Sequence, residues 1–306
     1  MPPVSRTPLP GSSDSLSRLI LGAWRLADHA ERTSPEAITG LVETSLAEGI
    51  TTVDHADIYG NYAVEEIFGR ALGGQSALRS RLELVSKCGI KLVSPKRPEH
   101  RLKTYDTSRE HITQSVHNSL RNLRTDYLDV LLIHRPDPLM DADEMAEAFT
   151  ALRQAGKVKH FGVSNFTPSQ FSLIQSRLDF PLVTNQIEFS VLHLPPLYDG
   201  SLDQCQQLRV PPMAWSPLAG GKLFTNTDER STKTGLALQK VGEELGGASV
   251  EQVALAWIMK HPANVMPVLG TGRPERIRES AGAASLQLSR DQWFEILAAS
   301  AGQEVP

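Results

Sequence analysis

Leu128-Asp-Val-Leu-Leu-Ile-His134 is the run on which the fold turns. A short, nearly continuous apolar stretch with no alternating polar set is the pattern of a strand buried on both faces, as happens where helices cover both sides of a parallel sheet. The flanks fit that reading. Downstream, Asp143–Ala155 has helical periodicity and stops at Gly156, and Val158–Ser164 is the next strand. Upstream lie a helix over Ser108–Asn122, a long polar connection over Ile90–Asp106 and a strand at Leu82–Lys87. That connection is long enough to suggest an active-site loop.

The same rhythm extends to both ends. Leu16–Trp24 reads as the first strand. Ser34-Pro35-Glu36 opens a helix with a capping serine, a first-turn proline and an acidic first turn, and Gly49 stops it. Thr51–Ala56 is the second strand, followed by a helix over Val64–Leu72 that ends at Gly73-Gly74. Thr167-Pro168 opens another helix, and Leu182–Ser190 and Pro211–Pro217 are strands six and seven. After a longer insertion, Ser249–Lys260 is helical, Val265–Gly270 is strand eight, a helix opens near Pro274, and Arg290–Ala301 forms an additional C-terminal helix. About eight strand–helix repeats in one chain predict an α/β protein of the (β/α)₈ TIM barrel type, a single domain over residues 1–306. A doubly wound sheet shares the alternation, but its G-x-G-x-x-G is absent after the first strand, where the chain reads Leu21-Gly-Ala-Trp-Arg-Leu26.

Composition excludes several classes. A net charge of −4 leaves no basic footprint for nucleic acid or an anionic membrane. No stretch approaches the ~20 apolar residues that span a bilayer. Two cysteines, Cys88 and Cys205, make no disulfide framework, and the N-terminus lacks an apolar targeting core. These features read as a cytoplasmic protein.

Barrels place their chemistry at the C-terminal ends of strands. Strand two ends Asp54-His-Ala-Asp-Ile-Tyr59-Gly60, strand three Val85-Ser-Lys87-Cys88, and strand four Leu132-Ile-His134-Arg-Pro-Asp137. An acid, a phenol, an amine and an imidazole therefore meet at neighbouring tips. Alternation puts Asp54, Thr52 and Ala56 inside and turns Val53 and His55 toward the helices; Lys87 inside puts Cys88 outside. A buried Lys87 requires a partner, which Asp54 supplies. Held against the Tyr59 hydroxyl, the ammonium is expected to lower a phenol pKa whose ordinary value is about 10. Tyr59 would then exchange protons near neutral pH, with His134 orienting a carbonyl.

The spacing Asp54-x4-Tyr59-Gly60, Lys87 and His134 resembles the aldo-keto reductase family. So do Gly162-Val-Ser-Asn165, Asn185-Gln186 and Trp215-Ser-Pro-Leu218, in family order along nearly the whole chain. Ser86-Lys-Cys-Gly89, His134-Arg-Pro-Asp-Pro-Leu-Met-Asp141 and His160-Phe-Gly-Val-Ser-Asn-Phe166 are most similar to its bacterial general-purpose oxidoreductase branch. The resemblance implies NADPH-dependent, reversible hydride transfer to a small aldehyde or ketone. In that scheme Tyr59 is the general acid, Asp54 and Lys87 tune it, and His134 orients the carbonyl. Ser164, Asn165 and Gln186 would hold the nicotinamide carboxamide, and Trp215 would stack on its ring. The cofactor's phosphate end would lie on Ser216, Pro217, Leu218, Gly220 and Lys222, and on Gly270, Thr271, Gly272, Arg273, Arg276, Glu279 and Ser280. Arg273 and Arg276 would fork onto a ribose 2′-phosphate. Gly22 and Trp24, at the tip of strand one, complete the cofactor set, and Trp24 also faces substrate with Tyr59 and His134. Gly270 stands where many members carry Lys, and Ser280 where many carry Asn; NADPH/NADP+ remains the expected cofactor.

Other residues take plainer readings. Asp57 is expected to be a loop or cap residue, His55 a satisfied core histidine, Cys88 a buried structural thiol, and Trp257 and Trp293 core. The nine histidines show no metal-ligand spacing. Two competing functions are a regulatory subunit sensing nicotinamide redox state with little turnover, and a lyase using Lys87 as a Schiff-base amine. The first would keep the cleft without the turnover; the second needs a lysine without a paired carboxylate. With little chain after the last helix, an open pocket of broad specificity for a small-molecule carbonyl is expected.

Overall fold

The computed structural model describes residues 3–73 and 76–304. Eight parallel strands close a barrel in sequence order: Ile20–Gly22 (β1), Thr52–Asp54 (β2), Glu83–Cys88 (β3), Leu128–Ile133 (β4), Val158–Ser164 (β5), Leu182–Glu188 (β6), Met213–Trp215 (β7) and Met266–Leu269 (β8). Val268 pairs with Ile20 and Leu269 with Leu21, so the last strand seals against the first. Inward side chains from alternate positions, among them Ile20, Val85, Val130, Leu132, Met213 and Met266, fill the interior as a packed core. Outward side chains such as Val53, Leu84, Cys88 and Leu131 pack with Phe68, Ile112, Val116 and Phe149 from the surrounding helices.

The first strand is a correction. Leu16–Trp24 is not continuous: Ser15–Ser17 pairs antiparallel with Arg6–Pro8, and only Ile20–Gly22 joins the barrel. Between them the chain bends, with Ser17 Oγ donating to the Leu19 carbonyl at 2.6 Å and the Arg18 amide to the Ser5 carbonyl at 2.9 Å. The hairpin plugs the barrel floor, where Leu9 and Leu16 join the interior core. An apolar pattern carries through a bend unaltered, so it could not mark the break.

Helix boundaries follow their caps. Ser34 accepts from the Ala37 amide ahead of Pro35–Ala47, and Thr167 and Gln170 form a reciprocal capping box on Pro168–Gln175. Val64–Leu72 ends at Gly73 as expected, while Gly74 lies outside the described residues. Among the described residues, two helices of eight or more residues escaped the sequence reading: Ser201–Leu208, and Glu229–Glu244 within the supposed insertion. The latter is mostly polar, buries Leu238 and Val241, and is tied to the C-terminal helix by a 2.7 Å Lys240–Glu295 ion pair. Trp257 and Trp293 stack at 4.8 Å, each indole N–H donating to the other's backbone carbonyl at 3.0 Å, which locks Arg290–Ala301 onto Val250–Met259. The Ile90–Asp106 connection carries its own short ribbon, Ile90–Lys91 against Thr104–Tyr105, rising beside the barrel mouth. No helix among the described residues is long and apolar enough to cross a membrane.

Candidate active site

Lys87 is fully buried near the end of β3, and its ammonium has three acceptors for its three protons. Nζ donates to Asp54 Oδ2 at 2.7 Å, to the His55 carbonyl at 2.8 Å and to the Tyr59 hydroxyl at 2.9 Å. The Gln186 amide donates to the other Asp54 oxygen at 2.9 Å, so both carboxylate oxygens are engaged. Burial opposes the Lys87 charge, but Asp54 and Tyr59 outweigh it and hold the ammonium above its ordinary pKa. Because the Tyr59 oxygen accepts from Lys87, its own hydrogen is directed elsewhere, toward the open cleft.

The Tyr59 pKa moves the opposite way from the expected lowering. Burial pushes the phenol up, Lys87 pulls it down, and Asp54 pushes it up again; the net is upward. The main reason is burial, and the ion pair adds to it. With Asp54 at 2.7 Å, little of the lysine charge is left to favour phenolate. His134 sits edge-on to Tyr59 with ring centroids 5.9 Å apart. Burial first, then Lys87, Arg135 and Lys103, hold its imidazole well below the ordinary histidine value, so it is neutral. A protonated phenol and a neutral imidazole thus stand side by side in the cleft lining. Tyr59 is followed by three left-handed residues, Gly60 (φ 55°), Asn61 (φ 56°) and Tyr62 (φ 65°), a tight turn that stores strain beside the site.

Asn165 and Gln186 are built differently from the simple alternation. A register shift between Leu182 and Asn185 in β6 lets Gln186 reach Asp54, while Asn185 braces the backbone of Phe166. Asn165, itself left-handed at φ 60°, accepts the Trp215 indole N–H at 2.9 Å and donates to Ser164 Oγ at 2.7 Å. The indole is thereby held in place at the end of β7.

These groups share one cleft of about 590 Å³ at the C-terminal mouth. Of the residues singled out from sequence, Gly22, Trp24, Asp54, Tyr59, His134, Ser164, Asn165, Gln186, Trp215, Ser216, Pro217, Leu218, Gly220, Gly270, Thr271, Arg276 and Ser280 line it. Lys87 lies beneath. Lys222, Gly272, Arg273 and Glu279 stand outside the lining, and Arg273 caps the backbone start of Pro274–Ala281 from an exposed position. Sequence reasoning missed Arg25, Lys103 and Arg135 on loops, Tyr105 on the short ribbon, and Phe224 and Glu251 at the starts of helices. One arm of the cleft runs over β7, β8 and β1. There Gly220 (φ 66°), Gly221 (φ 97°) and Gly270 leave the space where a Cβ would stand free of protein atoms, a cradle open to a ligand's backbone-close approach. Arg25 donates to the Gly220 carbonyl at 3.0 Å, bridging this arm. An aromatic face, a glycine cradle and the Arg276 guanidinium suit a dinucleotide with a phosphate at its far end.

One plainer reading needs correcting, and that of Asp57 as a loop residue needs extending. His55 does pack against Phe68 in the core at 4.5 Å, but neither ring nitrogen has a hydrogen-bond partner, and burial drives its pKa down to about 3. Asp57 is more than a cap. With Glu65 it lines a second cavity, of about 110 Å³, and each presents one buried carboxyl oxygen without a partner. Burial, then each other's proximity for Asp57, raises both pKa values. A raised folded-state pKa favours the fold at low pH and loses that advantage as pH rises through it. Asp57→Asn is therefore expected to raise the melting temperature by about 2 °C or more at pH 8 and by less at pH 5. Thermal scans of both proteins at the two pH values check this; equal shifts would remove the titration argument. Cys88, by contrast, is buried among helix-facing side chains, where burial pushes its thiol well up.

Comparison with known proteins places this geometry. The profile of the Aldo/keto reductase family matches residues 18–301. The chain is 50% identical over 303 residues to Oxidoreductase YdhF of Escherichia coli (strain K12), covering 99% of this chain and 100% of that one. It is 48% identical over 290 residues to the 6-dehydroglucose reductase of Agrobacterium fabrum, covering 95% and 96%. A crystal structure of an aldo/keto reductase from Klebsiella pneumoniae in complex with NADP and acetate superposes with a TM-score of 0.76 at 27% identity, covering 95% of this chain and 93% of that one. With its closed barrel, its ordered strand-tip residues and a profile match over nearly its whole length, this oxidoreductase belongs to the aldo/keto reductase family.

Proposed function

We propose that the protein is an NADPH-dependent carbonyl reductase, acting reversibly on a small aldehyde or ketone with Tyr59 as proton donor. The observation that carries this reading is the Tyr59 hydroxyl, fixed at 2.9 Å by a buried lysine at the foot of a cleft whose other wall is a pinned indole. The name of the Agrobacterium relative, and the NADP in the Klebsiella structure, lend support by likeness.

The bound cofactor supplies the reducing equivalent, a hydride, for the carbonyl carbon. Trp215 would receive the nicotinamide ring on its face, with Ser164 and Asn165 at its edge. Arg276 would meet the 2′-phosphate, and the glycines of the cradle would let the chain approach the pyrophosphate. The carbonyl oxygen would sit between the Tyr59 hydroxyl and the His134 ring, two preorganised groups aimed at developing negative charge. Tyr59 gives its proton to that oxygen, and Lys87 stabilises the phenolate left behind. In the reverse direction the phenolate takes the proton from an alcohol.

The test is a titration with NADPH and NADH, followed by tryptophan fluorescence, then addition of 4-nitrobenzaldehyde and absorbance at the nicotinamide band. Tighter NADPH binding and aldehyde-dependent oxidation are expected; no binding of either nucleotide would overturn the assignment. Arg276→Ala is expected to weaken NADPH binding by about tenfold while leaving NADH nearly unchanged, since it removes one charge-assisted fork. Arg273→Ala, outside the cleft lining, should do less.

A further inference from the structure

The cleft has two ends of different charge logic. The glycine cradle and Arg276 lie over β7, β8 and β1, where the cofactor is placed. On the opposite side of the mouth, the loops after β3 and β4 contribute Lys103 and Arg135. Their backbones rise from strands three and four, across the barrel order from seven and eight, although the Arg135 guanidinium reaches the Trp215 ring of β7.

Neither cation has an acid to answer it. Among the described residues no carboxylate forms an ion pair with Lys103 or Arg135. Among the described residues, the carboxylates lining the cleft are Asp54 and Glu251. Asp54 is consumed by Lys87 and Gln186, and Glu251 accepts from Ser280 on the cofactor side. Both cations still reach the reaction centre: Arg135 and Lys103 each help keep His134 neutral, and Arg135 also acts on Tyr59. The Arg135 guanidinium stands 5.4 Å from the centroid of the Trp215 ring, and with no carboxylate paired to it among the described residues its N–H groups are left for a ligand. Unanswered cations at a half-enclosed site raise the local concentration of anions and repel none of them. An uncharged aldehyde would leave both without a counter-charge.

Resting on the carbonyl-reductase reading, we infer that the substrate carries an oxyanion remote from its carbonyl, a carboxylate or phosphate, held by Arg135 and Lys103 while the carbonyl faces Tyr59 and His134. Arg135 supplies the directional fork and Lys103, on an exposed loop, the mobile charge.

Matched pairs differing by the anion test this. Succinic semialdehyde is compared with butanal, and glyceraldehyde 3-phosphate with glyceraldehyde, each with NADPH at low salt and with 0.3 M KCl added. The anionic member of at least one pair should show a kcat/KM about tenfold or more above its neutral partner, mainly through KM, with the advantage shrinking in salt. Which pair responds distinguishes carboxylate from phosphate. In Arg135→Gln the anionic-to-neutral ratio should collapse toward one, and Lys103→Gln should reduce it less. Binding is read apart from turnover by fluorescence titration with 4-hydroxybutyrate and glycerol 3-phosphate against butan-1-ol and glycerol; anion-selective quenching lost in Arg135→Gln supports the inference. Equal kcat/KM within both pairs, or a preference untouched by both variants, overturns it while the reductase reading stands. If no carbonyl compound is turned over, that reading fails, and the binding titrations alone decide whether the anion site exists.

Discussion

Lys87→Met is expected to lower stability by about 3–5 kcal/mol, the usual cost of breaking a buried ion pair from one side. Methionine fills a similar volume, so the loss is not one of packing. It strands Asp54, which is buried and would keep only the Gln186 amide. It also removes the donor to the Tyr59 hydroxyl and to the His55 carbonyl. Urea unfolding of the wild type, Lys87→Met, Asp54→Asn and the double variant measures the coupling. The double variant should be more stable than Lys87→Met alone, because no charge is left buried without a partner. If the two are equally stable, the penalty lies elsewhere than in the stranded carboxylate.

Tyr59→Phe is expected to lower kcat/KM for aldehyde reduction by a factor of about 10²–10⁴, the range typical of a lost proton donor. The fold should lose no more than about 0.5–1.5 kcal/mol for one hydrogen bond. NADPH affinity, read by fluorescence, should stay within about twofold, since Trp215 and the glycine cradle are untouched. The pH profile separates proton donation from simple packing. Burial and Asp54 together outweigh Lys87 at Tyr59, so the phenol stays protonated through neutral pH. Reduction by the wild type should therefore show no tyrosine-dependent falling limb below about pH 9. A limb centred near pH 7 would mean that bound cofactor or substrate lets the lysine prevail.

Much of this was legible in the sequence where local rules act alone. Val158–Ser164, Val64–Leu72 and Arg290–Ala301 match the expected limits, since apolar period and caps decide them. Asp54, Lys87, Tyr59 and His134 were found because each lies at or near the end of a strand, and alternation fixes which side faces in. What escaped depended on tertiary context. Glu229–Glu244 is too polar to show its buried stripe, and its stability comes from packing on the C-terminal helix and on Val250–Met259. Gln186 joins Asp54 through a register shift that no residue pattern announces. Arg25, Lys103 and Arg135 are ordinary loop charges in the sequence, and they acquire meaning only where three loops converge. The upward shift of Tyr59 follows chiefly from burial of the phenol, which the order of residues does not display.

The seam between β1 and β8 gives the polypeptide a biosynthetic constraint. Residue 20 pairs with residue 268, and Leu9 and Leu16 complete a floor that also needs Met213 and Met266. An emerging chain can pair its first barrel strand with β2 early, through Leu21–Val53 and Gly22–Asp54, but the other edge of that strand stays open until almost the whole sequence has left the ribosome. Such long-range closure is intrinsically slow and leaves an unsealed, apolar-edged intermediate exposed in the meantime. Truncation at either end should behave alike: loss of the first twenty residues or of the last forty removes opposite lips of one join, and both products would be expected in aggregates rather than as smaller folded proteins.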